Sequence, residues 1–544
     1  MTFPPHDAVP APAPAPGARA RAWAPLGFVL LLAVLAALRP LSVPDEGRYA
    51  EIGRWMLVSG DWLTPRLDGL PFFHKPPLTH WLQAASMAVF GVSPWAARVP
   101  GLLLASAMLA GVWLAGRRLG DAALAGRAAL MLGASGGFLI GGQYVNHDMG
   151  VAAWIATAIW CFARACWDGE RPHAGWARAG FAVCAGGLLT KGLIGVALPA
   201  LVIGAWLLAT RQWRKALHLP WVSGLLLFAA IALPWFVLAG ERYPGLWAYL
   251  FGVQQFGRYT GGGFNNPQPW WFYGAACALL LFPWAFFAAW DGLMRLRRTR
   301  DPAAAADPQR RLAVLCWIWL GAIVLFFSLP RSKLIGYALP VLPPLALLAA
   351  MGWQRALGGR RHAGRAFAAL LLMATAGPVA ITLAAPRWDR GRLSGDVAQA
   401  LACRAAPTDA IYVAGGYPMD LPFVAQTQKP LHVVQDWPRV RAMAGDNWKR
   451  EMYEAGDFEP TLAARILLEP AALAQARAQP HTWLLAPRQT DPATQALTAG
   501  WQAVLEGRAW VLYRSAASAA KGPEAPQHEG LPGCHAHGGK QGQP

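Results

Sequence analysis

The chain has 544 residues, 55% of them hydrophobic and only 14% charged, with a mean hydropathy of +0.29. Soluble proteins carry about 25% charged residues, so a soluble globular protein is excluded. The net charge of +19 does not describe a nucleic-acid surface either, because the Lys and Arg residues stand in short clusters between apolar runs (RRLGDAALAGR, RQWRK, RLRRTR), as in cytoplasmic loops.

Residues 1–22, with PAPAPAP followed by Arg19 and Arg21, read as a disordered cytoplasmic lead. The apolar run that starts at Trp23 is too like the later runs to be a cleaved leader, and is expected to stay as an anchor. About 20 apolar residues span a bilayer. Stretches of that kind fall at 23–40, 98–116, 124–144, 149–166, 178–190, 193–210, 221–240, 270–290, 312–329, 334–352 and 366–385. With the N-terminus inside, Arg117, Arg118, Arg127, Arg164, Arg171, Arg178, Arg211, Arg214, Lys215 and the basic residues of 295–311 and 355–365 all fall on the cytoplasmic side. This requires that 76–91, which opens with two prolines and carries His80 and Gln83, lie at the outer interface and not cross.

The loops 41–97, 145–148, 191–192, 241–269 and 328–333 then face outward and hold nearly all the polar residues near the membrane. After residue 385 the pattern changes to short β-rich runs (IYVAGG, LHVVQDW, HTWLLAP, AWVLYRS) between Ala-rich helical stretches, which predicts a small α/β domain over 386–514. Residues 515–544 read as a disordered tail. Five of the seven cysteines lie inside apolar runs as small buried hydrophobes, and no disulfide framework is expected.

The first outer loop carries most of the chemistry. Asp45 and Glu46 follow the first span, with Arg48, Glu51 and Arg54 at helical spacing so that carboxylates and guanidiniums meet. Lys75 stands immediately before Pro76 and Pro77. Charge held against hydrocarbon is costly and is usually functional. The loop resembles that of the lipid A aminoarabinose transferases and the wider protein O-mannosyltransferase-like group of membrane glycosyltransferases. The matching stretches are DEGRYAEI (45–52), SGDWLTPRLDGLPFFHKPPL (59–78), FGVSPWAARVPG (90–101) and SLPRSKLIGYALPVLPPLALL (328–348).

The resemblance implies a GT-C fold: an all-α polytopic bundle of about 11–13 transmembrane helices with interfacial helices, spanning 23–385, plus the small α/β periplasmic domain. It implies transfer of a sugar from a polyprenyl-phosphate (undecaprenyl-phosphate) carrier to an acceptor such as lipid A or another cell-envelope glycan, lipid or protein. The site would face the periplasm from a bacterial inner membrane, in a monomer without nucleic-acid partners. By the same resemblance Asp45 and Glu46 are the catalytic carboxylates, and Arg48, Lys75, Arg331, Lys333 and Tyr337 bind the donor phosphate, with Ser332 nearby. A carboxylate suits general-base work on an acceptor hydroxyl, and cations suit a phosphate that gains charge as it leaves.

Other outward polar residues carry two readings each. Asp148 is a substrate-binding acid or a helix cap. Lys191 binds phosphate or extends to the interface. Arg258 and Tyr259 belong to a glycine-rich substrate loop. Some relatives hold a metal with Glu before the lysine and a His near 250–260. Here the first position is His74 and the second region has no His, so no metal or other cofactor is expected to be required. The alternative function is a transporter or flippase of a lipid-linked sugar, which would place charges along the bundle interior.

Overall fold

The structure, a computed structural model, describes residues 18–257, 266–297, 307–443 and 445–519. Arg258 and Tyr259 lie outside the described residues. All the expected apolar stretches are helical: Ala18–Ala37, Pro94–Leu119, Ala122–Gly133 with Gly136–Leu139, Asp148–Trp167, Ala174–Lys191, Ile194–Ala209, Trp221–Arg242, Phe272–Leu280 with Ala285–Arg297, Pro308–Ser328, Leu342–Leu357 and Ala363–Asp389. Among the described residues six helices are long and apolar enough to cross a membrane unaided, and up to eight spans result if each bent pair counts as one. The two bent pairs turn by 58° and 119°. Helices Ala18–Ala37, Ala174–Lys191 and Ile194–Ala209 fall short of that test alone, being too short or too polar for an independent span. The chain is thus a multi-pass membrane protein.

Local signals place several helix starts. Ser93 accepts a hydrogen bond from the Ala96 N–H, and Pro94 occupies the first helical turn, where its missing N–H costs nothing. Asp121 caps the next helix through the Leu124 N–H. The Leu78–Phe90 helix is 13 residues long, well short of a span, and packs on the Asp45–Ser59 and Pro94–Leu119 helices.

Polar side chains gather at two opposite ends of the bundle. At one end, Gln309 donates to Asp121 at 2.7 Å, Lys215 to the Cys166 carbonyl at 2.7 Å, and Arg311 to Gln212 at 3.0 Å. The other end receives the first loop and the residues around 143–148, 191–193 and 331–337.

The C-terminal part holds a six-stranded sheet. Its strands are β3 Ala410–Ala414, β4 His432–Val434, β5 Leu467–Leu468, β6 Thr482–Pro487, β7 Gln502–Glu506 and β8 Trp510–Arg514, in the order β5-β4-β3-β6-β8-β7. The first four neighbours run parallel, and β8 and β7 are added antiparallel at the edge. A two-stranded ribbon, β1 Arg66–Leu67 with β2 Leu70–Pro71, belongs to the first loop.

That loop and the sheet share one apolar core: Ile52, Leu67 and Phe72 pack with Val413, Val433, Leu485 and Leu512. The Asp45–Ser59 helix is therefore pressed from two sides, and ten of its fifteen residues are buried, four of them charged. Two glycines allow the approach. A Cβ on Gly47 would meet the backbone of Met419 and Asp420 at 2.8–2.9 Å, and one on Gly53 would meet Gln83 at 2.8 Å. Gly60, with φ +69°, ends the helix in the left-handed conformation that favours glycine.

Cys161, Cys166, Cys184, Cys277 and Cys316 are buried and free. Cys403 is disulfide-bonded, a single bridge in the C-terminal part and not a framework. A cysteine at the edge of an α/β domain has no apolar run to mark it as a core residue.

Candidate functional site

Helical spacing brings Arg48 back onto Asp45, with Nη2 at 2.5 Å from Oδ1. The other arm of Arg48 pairs with Glu451, on the Trp448–Gly456 helix of the C-terminal part. Its guanidinium also lies 4.7 Å from the centre of the Tyr49 ring and donates to the Tyr49 hydroxyl at 3.3 Å. Asp45 keeps 40% of its side chain exposed, against 10% for Arg48 and 12% for Glu451. Glu51 and Arg54 repeat the i,i+3 pairing one turn on, at 2.7 Å, and Arg54 donates to the Thr427 carbonyl at 2.7 Å.

Glu46 behaves quite differently from its neighbour. It is wholly buried and ion-paired to both Arg39 and Arg98. It also accepts from the N–H groups of Ser42 at 2.9 Å and Val145 at 3.0 Å. Burial alone would raise its pKa, but the Arg98 and Arg39 guanidiniums hold it down at about 2. Every acceptor direction is used, so the expected second catalytic carboxylate is instead the knot joining the first span, the first loop and the Pro94–Leu119 helix.

A second polar pair forms where three helices end. Asp148 opens the Asp148–Trp167 helix, and Lys191, the last residue of Ala174–Lys191, is ion-paired to it. The Lys191 ammonium also sits 4.4 Å from the centre of the Tyr337 ring. Each charge suits its helix end, acid at an N-terminus and base at a C-terminus. Asp148 does not cap: the capping position is His147, whose side chain makes no cap bond.

His147 links the two pairs. Its ring stands edge-on to Tyr49 at 4.7 Å and to His80 at 5.1 Å between centroids. Burial pushes its pKa well below the usual histidine value, and the charges of His80, Lys75, Lys191 and Arg48 push it further. Lys75, partly buried, thus lies in the same electrostatic neighbourhood as Arg48 and Lys191. His80 is also held neutral, its pKa lowered to about 4 chiefly by burial. Arg48, Lys75 and Lys191 therefore share the surroundings of one buried imidazole, with Asp45 paired to Arg48 and with Asp148 and Tyr337 against Lys191.

Four expected residues make other contacts. Lys333 is buried, and its ammonium donates to the carbonyls of Pro330 at 2.7 Å and Gln268 at 3.0 Å. It staples two loops and has no donor to spare for a phosphate, which corrects its assignment. Arg331 is exposed, and Ser332 forms a bridge with Pro267. The ring of His74 stacks on Phe72, and its Nε2 lies 3.7 Å from Glu454. Among the described residues no group of three or more His, Cys, Asp or Glu could hold a metal ion.

Sequence reasoning missed Glu451, Glu454, Arg39 and Arg98. Glu454 accepts from Tyr249 at 2.7 Å and Arg450 at 2.6 Å, so the Trp448–Gly456 helix docks on the membrane part through two acids one turn apart. A Glu-x-x-Glu pattern on a polar helix normally marks a solvated face, and only the tertiary structure distinguishes this one.

A buried carboxylate at the same junction gives a testable pH dependence. Asp68 accepts from the Leu431 N–H at 2.8 Å. Its pKa is raised to about 8, chiefly by burial and also by the Glu51 charge, against the opposing Leu431 and Tyr417 donors. A carboxyl with a raised folded pKa stabilises fully below its unfolded pKa, and that stabilisation is lost as pH climbs to the folded value. His80 has the opposite sign: its contribution is complete above the ordinary histidine value of 6.5 and is lost on acidification toward about 4. Between pH 6.5 and 8 the Asp68 effect acts without that opposition. Stability of the solubilised protein is expected to fall there by up to about 1.4 kcal/mol per pH unit, and Asp68→Asn should flatten the decline. Melting curves that decline equally in both proteins would remove Asp68 as the cause.

Residues 74–237 match the family model described as dolichyl-phosphate-mannose-protein mannosyltransferase. The undecaprenyl phosphate-alpha-4-amino-4-deoxy-L-arabinose arabinosyl transferase of Pseudomonas aeruginosa is 34% identical over 333 residues, covering 59% of this chain and 57% of that protein. A relative of the same description from Sodalis glossinidius is 33% identical over 342 residues, covering 60% of this chain and 58% of its own length. The match thus spans a little over half the length of these curated relatives. The crystal structure of ArnT from Cupriavidus metallidurans bound to undecaprenyl phosphate superposes with a TM-score of 0.76 at 24% identity, covering 91% of this chain and 97% of that one.

Proposed function

We propose that this chain, whose fold is the GT-C fold of membrane glycosyltransferases, transfers a sugar from a polyprenyl-phosphate carrier to an acceptor at the outer face of a bacterial inner membrane. The observation that carries this reading is that Arg48, Lys75 and Lys191 share the surroundings of His147, with Asp45 paired to Arg48 and Asp148 to Lys191, at one end of a membrane bundle. A carrier lipid keeps its tail in the bilayer and its phosphate at the surface, so donor and acceptor meet only at that boundary. The relatives' descriptions make undecaprenyl phosphate the favoured carrier class, and lipid A is among the candidate acceptors. The charge bias of the loops supports a periplasmic C-terminal domain.

In this mechanism Asp45, the more exposed carboxylate, accepts the proton of an acceptor hydroxyl. The freed oxygen bonds to the anomeric carbon of the sugar. The bond from that carbon to the carrier phosphate breaks, and the phosphate leaves with the electron pair. Lys75 and Arg48 stabilise the phosphate as its charge grows. Asp148, tied to Lys191, fixes that lysine under Tyr337 and keeps a third cation at the phosphate side.

Single-turnover transfer from a labelled undecaprenyl-phosphate sugar by purified protein, with a panel of acceptors, tests the reading. Lys75→Ala is expected to weaken carrier binding about 10–100-fold, the value of one hydrogen bond to a charged group, with transfer falling at least as far. Unchanged affinity and rate would take Lys75 out of the phosphate site, and no transfer to any acceptor by the wild type would overturn the reading itself.

A further inference from the structure

The Trp448–Gly456 helix places Glu451 on the Arg48 arm opposite to the one that holds Asp45. We propose that Glu451 is a positioning residue of the transfer site, holding the Arg48 fork divided so that Asp45 keeps one oxygen available for the acceptor. The proposal rests on the transferase reading and extends the site into the C-terminal domain.

The geometry sets out the roles. Arg48 uses Nη1 for Glu451 and Nη2 for Asp45 Oδ1. Oδ2 of Asp45 takes no hydrogen bond from the described residues, and the side chain is 40% exposed. A guanidinium whose two terminal nitrogens are both available prefers a bidentate grip on a single carboxylate. Without Glu451, Nη1 would turn to Asp45, and the bidentate pair would occupy both oxygens of the proton acceptor. Tyr49 beneath the guanidinium limits the remaining freedom of Arg48 to rotation in its own plane. Glu451 is 12% exposed, so its pairing is sheltered from the solvent that weakens surface ion pairs. It touches neither carrier nor acceptor in this scheme and acts only through Arg48.

Glu454 supplies the control. It lies one turn further along the same helix and fastens the same docking contact through Tyr249, while Arg450 pairs with it within the helix, and none of its hydrogen bonds or ion pairs among the described residues goes to Arg48. If Glu451 merely docks the domain, Glu451→Gln and Glu454→Gln should impair transfer alike.

The experiment measures kcat and donor KM for the full-length wild type, Glu451→Gln, Glu451→Asp and Glu454→Gln, with melting temperatures alongside. A neutral amide holds Nη1 more weakly than a carboxylate does, so the guanidinium turns toward the anionic Asp45; Glu451→Gln is expected to lower kcat by about 10–100-fold with donor KM within about threefold, since Lys75 still holds the carrier. Glu451→Asp should recover part of the loss, and Glu454→Gln should keep kcat within about threefold. A wild-type kcat in Glu451→Gln would overturn the proposal, as would equal losses in the two glutamine variants. An inactive wild type would instead count against the transferase reading on which the proposal stands.

Discussion

Asp45→Asn is expected to abolish sugar transfer, lowering the single-turnover rate by about a thousandfold, while carrier affinity stays within about threefold. The amide has the shape of the carboxylate and can still accept the Arg48 hydrogen bond, so the loop should keep its structure. What it lacks is a basic oxygen for the acceptor's proton, and general-base assistance is worth about 10²–10⁴ in rate. Asp45 suits that task because it is the exposed member of its pair, whereas its sequence neighbour is sealed. Filter binding of labelled carrier would establish affinity, and rapid quench the rate. A variant that transfers at the wild-type rate would discard Asp45 as the base.

Glu46→Gln should fail in another way, by loss of the folded protein. The carboxylate faces two guanidiniums and two backbone N–H groups, all donors. A glutamine would turn its own NH2 toward some of them and leave Arg39 and Arg98 without a counter-charge. Removing one partner of a buried ion pair costs about 3–5 kcal/mol, and here two pairs share the partner. A sharply lower melting temperature and poor yield from the membrane are expected. A variant that melts like the wild type yet transfers no sugar would reverse the assignment and make Glu46 catalytic. The adjacent substitutions thus separate chemistry from architecture by one residue.

The sequence carried much of the fold and part of the site. Apolar runs of the length of a bilayer announce themselves, and each became a helix. Breaks within two of them had only weak marks, Ser135 among glycines at 133–136 and Pro283 at 280–285, inside runs whose hydrophobicity is otherwise continuous. The i,i+3 pairs of Asp45 with Arg48 and Glu51 with Arg54 follow from helical spacing alone. The division of labour between Asp45 and Glu46 does not: on a helix neighbouring residues point about 100° apart, and which one faces the arginines depends on partners 52 residues away in the chain, such as Arg98. Lys333 misled for the same reason, since a lysine in a polar outer loop gives no sign that carbonyls will surround it. Glu451 lies 403 residues from Arg48, and pattern reading on a single sequence has no means to join them.

The shared core of Ile52, Leu67 and Phe72 with the β-sheet has a practical consequence for hybrid proteins. A graft that exchanges only the C-terminal region between relatives would cut through a packed interior and bare both halves to water. The natural unit of exchange is discontinuous: the first loop and the sheet together, with the seams placed in the membrane helices on either side.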